Sequence, residues 1–278
     1  MAIARSDGRI TATRKVHTAD LRGPEELVAW AAHTLDQLRG ANRVTSIAIG
    51  SPGPIDQERG VLVNPPNLKG WRNVPLESML SKATGARVHL ENDANLAGLG
   101  EFHQGAGQGS RNMVYITWST GVGAGVIVEG KLYSGSHGTA GELGHTIIDP
   151  DGPVCTCGQR GCLEQLAAGH GIASQAGKPA LEVFADAARG EARARMIVTK
   201  AAVYMGLGLI NVTNLLDPDV IVIGGGIVQS WSLVQGVLRE TLASSPFIKP
   251  ARRPKLRRAR LGDRAGLTGA VEWARAKH

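Results

Sequence analysis

The sequence predicts an α/β protein, and three observations carry that prediction. Apolar, β-branched runs at 44–49, 113–118 and 220–223 each lead into a cluster rich in glycine. Stretches with apolar residues at helical spacing, such as 24–38 and 180–216, separate them. The 37 glycines concentrate in the clusters, which is the punctuation of strands that end in tight turns.

From the N-terminus, 2–5 reads as a strand, Asp7-Gly8 as a tight turn and 9–16 as the returning strand. Helix 24–38 follows. Pro24 sits in its first turn with Glu25 and Glu26, and Leu27, Trp30, Ala31, Leu35 and Leu38 recur along one face. Strand 44–49 runs into the rigid loop Gly50-Ser51-Pro52-Gly53-Pro54. Strand 88–90 delivers Glu91-Asn92-Asp93 to the start of helix 94–103. Next come strand 113–118, the glycine-rich stretch 119–125, strand 126–128, a Glu129-Gly130 turn and strand 131–133. A helical stretch over 180–216 has a break expected at Gly190. Strand 220–223 opens onto Gly224-Gly225-Gly226, and an amphipathic helix covers 266–276. Each half of the chain holds a hairpin, helices and a strand ending in glycines. In the second half a strand and a glycine loop precede the hairpin, and the first half has no counterpart to them.

A chain of 278 residues with 42% apolar content suffices for one large domain or two medium ones, and disorder is excluded. No apolar run approaches the roughly 20 residues that span a bilayer, and the N-terminus lacks a signal-peptide core. A cytoplasmic location with no membrane partner is expected. The formal charge of +7 owes much to the run 249–264, with Arg252, Arg253, Lys255, Arg257, Arg258 and Arg260. It is read either as an electrostatic footprint for polyanions or as a solvated face. No aromatics interleave with it as a base-stacking platform would require, so direct nucleic-acid binding is not expected.

All three cysteines fall within eight residues, against a disulfide framework and for a metal. His145 with Cys155, Cys157 and Cys162 supplies the Cys₃His set of a closed, structural Zn²⁺ site. Such an ion would fix Glu142, His145 and Glu164, two carboxylates and an imidazole able to grip the hydroxyls of a sugar. The plainer reading of both glutamates is solvation at the surface. Asp93 is the candidate general base for phosphoryl transfer to an alcohol, with Asn92 beside it, although the pair also reads as a cap for the following helix. Thr120, Gly121 and Gly123 would cradle a phosphate on backbone N–H groups or form an ordinary hairpin turn. Gly224 and Gly225 would floor a nucleotide pocket or pack a strand against a helix.

These stretches, together with Pro66-Asn67 before Gly70-Trp71, Gly141-Glu142-Leu143-Gly144-His145 and the run from Cys155 to Glu164, resemble the ROK family of sugar kinases and sugar-responsive repressors over nearly the whole chain. The resemblance implies a two-lobed, actin/hexokinase-like (ribonuclease H-like) fold with a cleft between lobes, taken as 1–111 plus 263–278 and 112–262. It implies ATP with Mg²⁺ as phosphoryl donor, structural Zn²⁺, Asp93 as base, and Asn67, Asn92, Asp93, Glu142, His145 and Glu164 around a hexose. Thr120, Gly121, Gly123, Gly224 and Gly225 would meet the nucleotide. The segment from Cys162 to Gly169 and the Pro-Asn-Leu-x-Gly-Trp run are most similar to glucokinases, hence to glycolysis. A homodimer or homotetramer is expected by the same analogy.

One departure stands out. Family kinases open with a strand carrying an Asp-x-Gly-Gly-Thr loop over the phosphates, and this chain starts beyond that point. Three explanations are open: a start codon set too far downstream, a sugar-binding protein of impaired catalysis, or a regulator without its own DNA-binding domain. The sugar itself, glucose against mannose, N-acetylmannosamine or N-acetylglucosamine, and ATP against polyphosphate as donor, are left undecided by the residues.

Overall fold

The computed structural model describes residues 1–65, 68 and 70–277. Its contacts divide the chain into two compact units, 1–104 with 134–140 and 263–278, and 105–133 with 141–262. Residues 105–111, expected with the first lobe, belong to the second unit. There Ala106 O accepts Arg257 Nη1 at 2.7 Å, and the Asp219 carboxylate accepts the Arg111 and Asn112 amides at 2.9 and 2.7 Å. Residues 134–140, expected with the second lobe, belong to the first, where Gly138 lies against the Gln57 side chain.

The first unit opens with an antiparallel pair, β1 (Ala2–Ala4) and β2 (Ile10–Thr13), shorter than the alternation over 9–16 suggested. Helix α1 (Pro24–Arg39) follows, with the proline and both acids in its first turn. Strand β3 (Ser46–Ser51) pairs in parallel with β6 (Arg87–Asn92), bringing Gly50 opposite Glu91 and Ser51 opposite Asn92. Between them lie a two-residue-deep hairpin, β4 (Ile55–Asp56) and β5 (Val61–Leu62), and helix α2 (Leu76–Thr84). One face of the β3–β6 pair builds the core of this unit from Val28, Leu62, Trp71, Val74, Leu76, Leu80, Val88 and Leu90. Helix α3 (Asp93–Gln104) starts directly from β6.

The second unit holds a five-stranded sheet. Strand β7 (Met113–Trp118) pairs antiparallel with β8 (Val122–Val128), which pairs with β9 (Lys131–Leu132). Helices α4 (Leu163–Ala167), α5 (Gly169–Ala176), α6 (Ala180–Arg189) and α7 (Ala192–Leu216) precede β10 (Val220–Gly224). The break foreseen at Gly190 separates α6 from α7; Gly190 takes the left-handed conformation, and the Glu191 carboxylate caps α7 by accepting the Arg193 and Ala194 amides. Helix α8 (Trp231–Ser244) leads to β11 (Lys255–Arg258), and α9 (Ala265–Ala276) returns to the first unit, packing on α3 and β3.

The sheet order is β11-β10-β7-β8-β9, with β10 parallel to both β7 and β11. Strand β8 begins four residues earlier than expected. Gly123 and Gly125 lie inside it opposite Thr117 and Tyr115, so the loop after β7 shrinks to Ser119–Gly121. Helix α7 is long and apolar enough to cross a membrane, but Ala194, Ile197, Val198, Ala201, Ala202, Met205, Leu209 and Val212 spend its apolar face on the core of the second unit.

Candidate functional site

The sharpest cluster is the quartet of His145, Cys155, Cys157 and Cys162, whose donor atoms all lie within 4.8 Å of one another. His145 comes from a single 3₁₀ turn over Leu143–His145, and the cysteines from the loop before α4. Two contacts tie turn and loop together: Leu163 N donates to Thr146 O at 2.9 Å, and Ile147 bridges Cys162. Cys155 Sγ is 3.9 Å from His145 Nδ1, and Cys157 Sγ is 3.7 Å from Cys162 Sγ. Zn–S bonds of about 2.3 Å at tetrahedral angles put ligand atoms roughly 3.8 Å apart, which these two separations match. Burial pushes the Cys162 thiol up to about 12, with the neighbouring thiols adding to it. A thiol this hard to ionise becomes a thiolate against a cation. The donor set and its spacing fit Zn²⁺.

The same loops carry Glu142 and Glu164. Glu142 is exposed and Glu164, in the first turn of α4, is half-buried. Glu164 Oε2 accepts the Val122 amide at 2.8 Å, which pins the carboxylate to the start of β8. The Gly141-x-x-Gly144 spacing has a steric reason. A Cβ on Gly144 would stand 2.2 Å from Val122 O, and one on Gly141 2.6 Å from Ala124 O. Both glycines let the segment with Glu142 and His145 lie directly on the β8 backbone. Those two residues and Glu164 are thereby gathered at one edge of the sheet, beside the Ser119–Gly121 turn.

The glycine stretches meet at the carboxyl ends of β7 and β10. A Cβ on Gly225 would stand 2.4 Å from Trp118 O, so the packing reading holds for that residue, and it seats Gly224–Gly226 beside Ser119. Thr120 is exposed and Gly121 and Gly225 are half-buried, whereas Gly224 is buried and Gly123 is a strand residue two positions beyond the turn. His170, which the sequence did not single out, holds this turn: its Nδ1 contacts Thr120 O at 2.8 Å and its Nε2 contacts Gln165 Oε1 at 3.0 Å. A histidine in a helical run gives no signal of that contact.

In the first unit, Asn92 and Asp93 divide their duties. Asn92 Oδ1 accepts the Ala94 and Asn95 amides at 2.8 and 3.3 Å and so caps α3. Asp93 keeps solvent exposure at the end of β6, yet protein crowds it enough that burial raises its pKa, offset in part by the Ala94 and Asp93 amides. A carboxylate so placed is a stronger base than a free one. Glu91 was also missed: it is 1% exposed, bonded to Gln57 and Asn95, and its pKa is raised by burial. Asn67 lies outside the described residues.

The basic run forms the edge strand β11 and its flanks. Arg257, Arg258 and Arg260 line a shallow cavity of about 420 Å³ with Gly105, Ala106 and Gln108, none of them acidic.

The sequence profile of the ROK family matches residues 1–277. A glucokinase from Thermotoga maritima is 34% identical, over 90% of this chain and 85% of its own. An N-acetylmannosamine kinase from Citrobacter koseri is 38% identical, over 98% and 97%. Among solved structures, a ROK glucokinase from Streptomyces griseus in complex with glucose and AMPPNP superposes with a TM-score of 0.80 at 30% identity, covering 99% of this chain and 95% of that one. The fold is the actin-like, two-lobed one. The chain belongs to the ROK family, and within it to the sugar kinases.

Proposed function

We propose that this protein transfers the terminal phosphoryl group of ATP, bound with Mg²⁺, to a hydroxyl of a hexose, with glucose as the acceptor and glucose 6-phosphate as the product. The observation that carries the reading is the division of labour at the end of β6. Asn92 takes the capping bonds of α3, so the Asp93 carboxylate, exposed and with a raised pKa, serves as the base for the attacking hydroxyl. Asn92 keeps its Nδ2 donor for the sugar. Glu164, pinned by the Val122 amide through one oxygen, offers the other, and Glu142 offers a second carboxylate.

Zn²⁺, held by His145, Cys155, Cys157 and Cys162, supplies rigidity rather than reaction chemistry, since four protein donors leave no open position. With Nδ1 turned to Cys155, His145 presents Nε2 to a sugar hydroxyl. The turn with Thr120 and Gly121, next to Gly224 and Gly225, is the nucleotide-phosphate side. Thiols used as metal donors need a reducing compartment, which supports a cytoplasmic location.

The test is ADP release over a panel of glucose, mannose, N-acetylmannosamine and N-acetylglucosamine. The reading expects the highest kcat/KM with glucose. A higher kcat/KM with N-acetylmannosamine keeps the sugar kinase and overturns glucose as its substrate.

A further inference from the structure

Glu91 poses a chemical problem that the proposed reaction does not use. It lies on β6 opposite Gly50, a position with no side chain to cover it, and is 1% exposed. Its Oε1 accepts three N–H groups, each at 2.8 Å: Gln57 Nε2, Asn95 Nδ2 and the Asn92 amide. Its Oε2 is buried with no donor among the described residues. Asn95, 2% exposed, gives its Nδ2 to Glu91, and its Oδ1 is likewise buried with no donor among the described residues. Two neighbouring groups already joined by one hydrogen bond thus leave one bare acceptor each.

No ion pair reaches Glu91 among the described residues; the charge it feels is that of Lys277, near the end of α9. An ionised carboxylate would leave both bare acceptors without a donor and an unpaired charge in the interior. One proton resolves both. Placed on Oε2, it turns Glu91 into a donor that Asn95 Oδ1 can accept, closing a ring of O–H···O and N–H···O bonds between an acid and an amide.

We infer that Glu91 is a neutral carboxylic acid in the folded protein, hydrogen-bonded through its proton to Asn95, and that it acts as the positioning residue for Asp93. The second clause rests on the reading of Asp93 as base; the first does not. The ring fixes Asn95 on α3, Oε1 fixes the Asn92 amide, and Asn92 Oδ1 caps the same helix. Asp93 stands inside that closed circuit. Because Glu91 carries no charge, it does not oppose the ionisation of a carboxylate two residues away. Burial raises both pKa values, but Asp93 keeps its exposure to solvent while Glu91 is shut away from it, so the pair divides into one acid and one base.

The experiment is infrared spectroscopy of the full chain at neutral pH, in H₂O and D₂O, for wild type and Glu91→Gln. The inference expects the carbonyl stretch of a protonated carboxylic acid, shifted in D₂O and missing from Glu91→Gln. Glu91→Gln should fold with a wild-type melting temperature, because its amide can donate to Asn95 Oδ1 as the acid proton does, whereas Glu91→Ala melts lower. No such band, a band that survives in Glu91→Gln, or a Glu91→Gln chain that does not fold would overturn the neutral acid whatever the fate of the kinase reading. For the positioning clause, the acid limb of the kcat/KM profile should stay in place in Glu91→Gln. A limb displaced to lower pH would mean that Glu91 is charged in the wild type and raises the pKa of Asp93.

Discussion

The two units start from related plans and finish differently. In the second, β7 is the centre: it pairs antiparallel with β8 on one side and parallel with β10 on the other, and all five residues of β10 are buried. The first has an antiparallel pair, β1–β2, matching β8–β9, and a parallel pair, β3–β6, matching β10–β11. Among the described residues no strand joins the two pairs. Strand β3, with an Ile-Ala-Ile sequence as apolar as that of β10, is only half-buried along 46–49. Apolar content alone therefore does not bury a strand; a partner on each edge does.

The residues proposed for function differ in the same sense. In the second unit Glu142, His145 and Glu164 are held by a metal-donor quartet and by glycines pressed onto the β8 backbone. In the first, Asp93 is held by hydrogen bonds among Glu91, Asn92, Asn95 and Gln57. The largest effect expected from breaking this contrast falls on the quartet. Cys162→Ser should abolish stoichiometric zinc and weaken sugar binding by about 10- to 100-fold, read by metal analysis and calorimetry. Amide exchange in 46–51 and 87–92 should not change; if it rises as much as in 145–164, the two devices are not separate.

A smaller difference is expected in the wild type itself. Native-state amide exchange should show β10 opening only with global unfolding, and β1 and β3 opening at a lower free energy through a partial unfolding. Equal protection of β3 and β10 would mean that β3 has a partner on its open edge. The smallest effect is at the cap. Asn92→Ala removes the side-chain acceptor for Ala94 and Asn95, costing about 1 kcal/mol, which lowers the melting temperature of a chain this large by roughly 2–4 °C. A drop confined to sugar affinity, with no change in melting, would assign Asn92 to the ligand alone.

Much of this was legible in the sequence, and the failures have physical causes. The quartet could be read because metal donors announce themselves by residue type and spacing, and the exposure of Asp93 because a strand-to-helix junction presents its side chain. Strand β8 was cut short because Val122-Gly-Ala-Gly reads as a loop, although backbone pairing with β7 needs no side chains. Strand β11 was hidden in a charge run, since an edge strand paired in parallel to β10 can expose Lys255 and Arg258 and still complete a sheet. Hairpin β4–β5, with two residues per strand, is too short to show alternation. Glu91 was invisible because its burial comes from Gly50, Gln57 and Asn95, which only the fold brings to it.

The central claim is that Asp93 is the base of a hexose kinase, and the most direct test is steady-state turnover of ATP and glucose by the chain and by Asp93→Asn. The account predicts glucose-dependent ADP release that falls by about 10²- to 10⁴-fold in the variant, with glucose affinity by calorimetry little changed. Equal turnover by the two proteins would contradict it, as would glucose binding by the wild type with no transfer to any hexose.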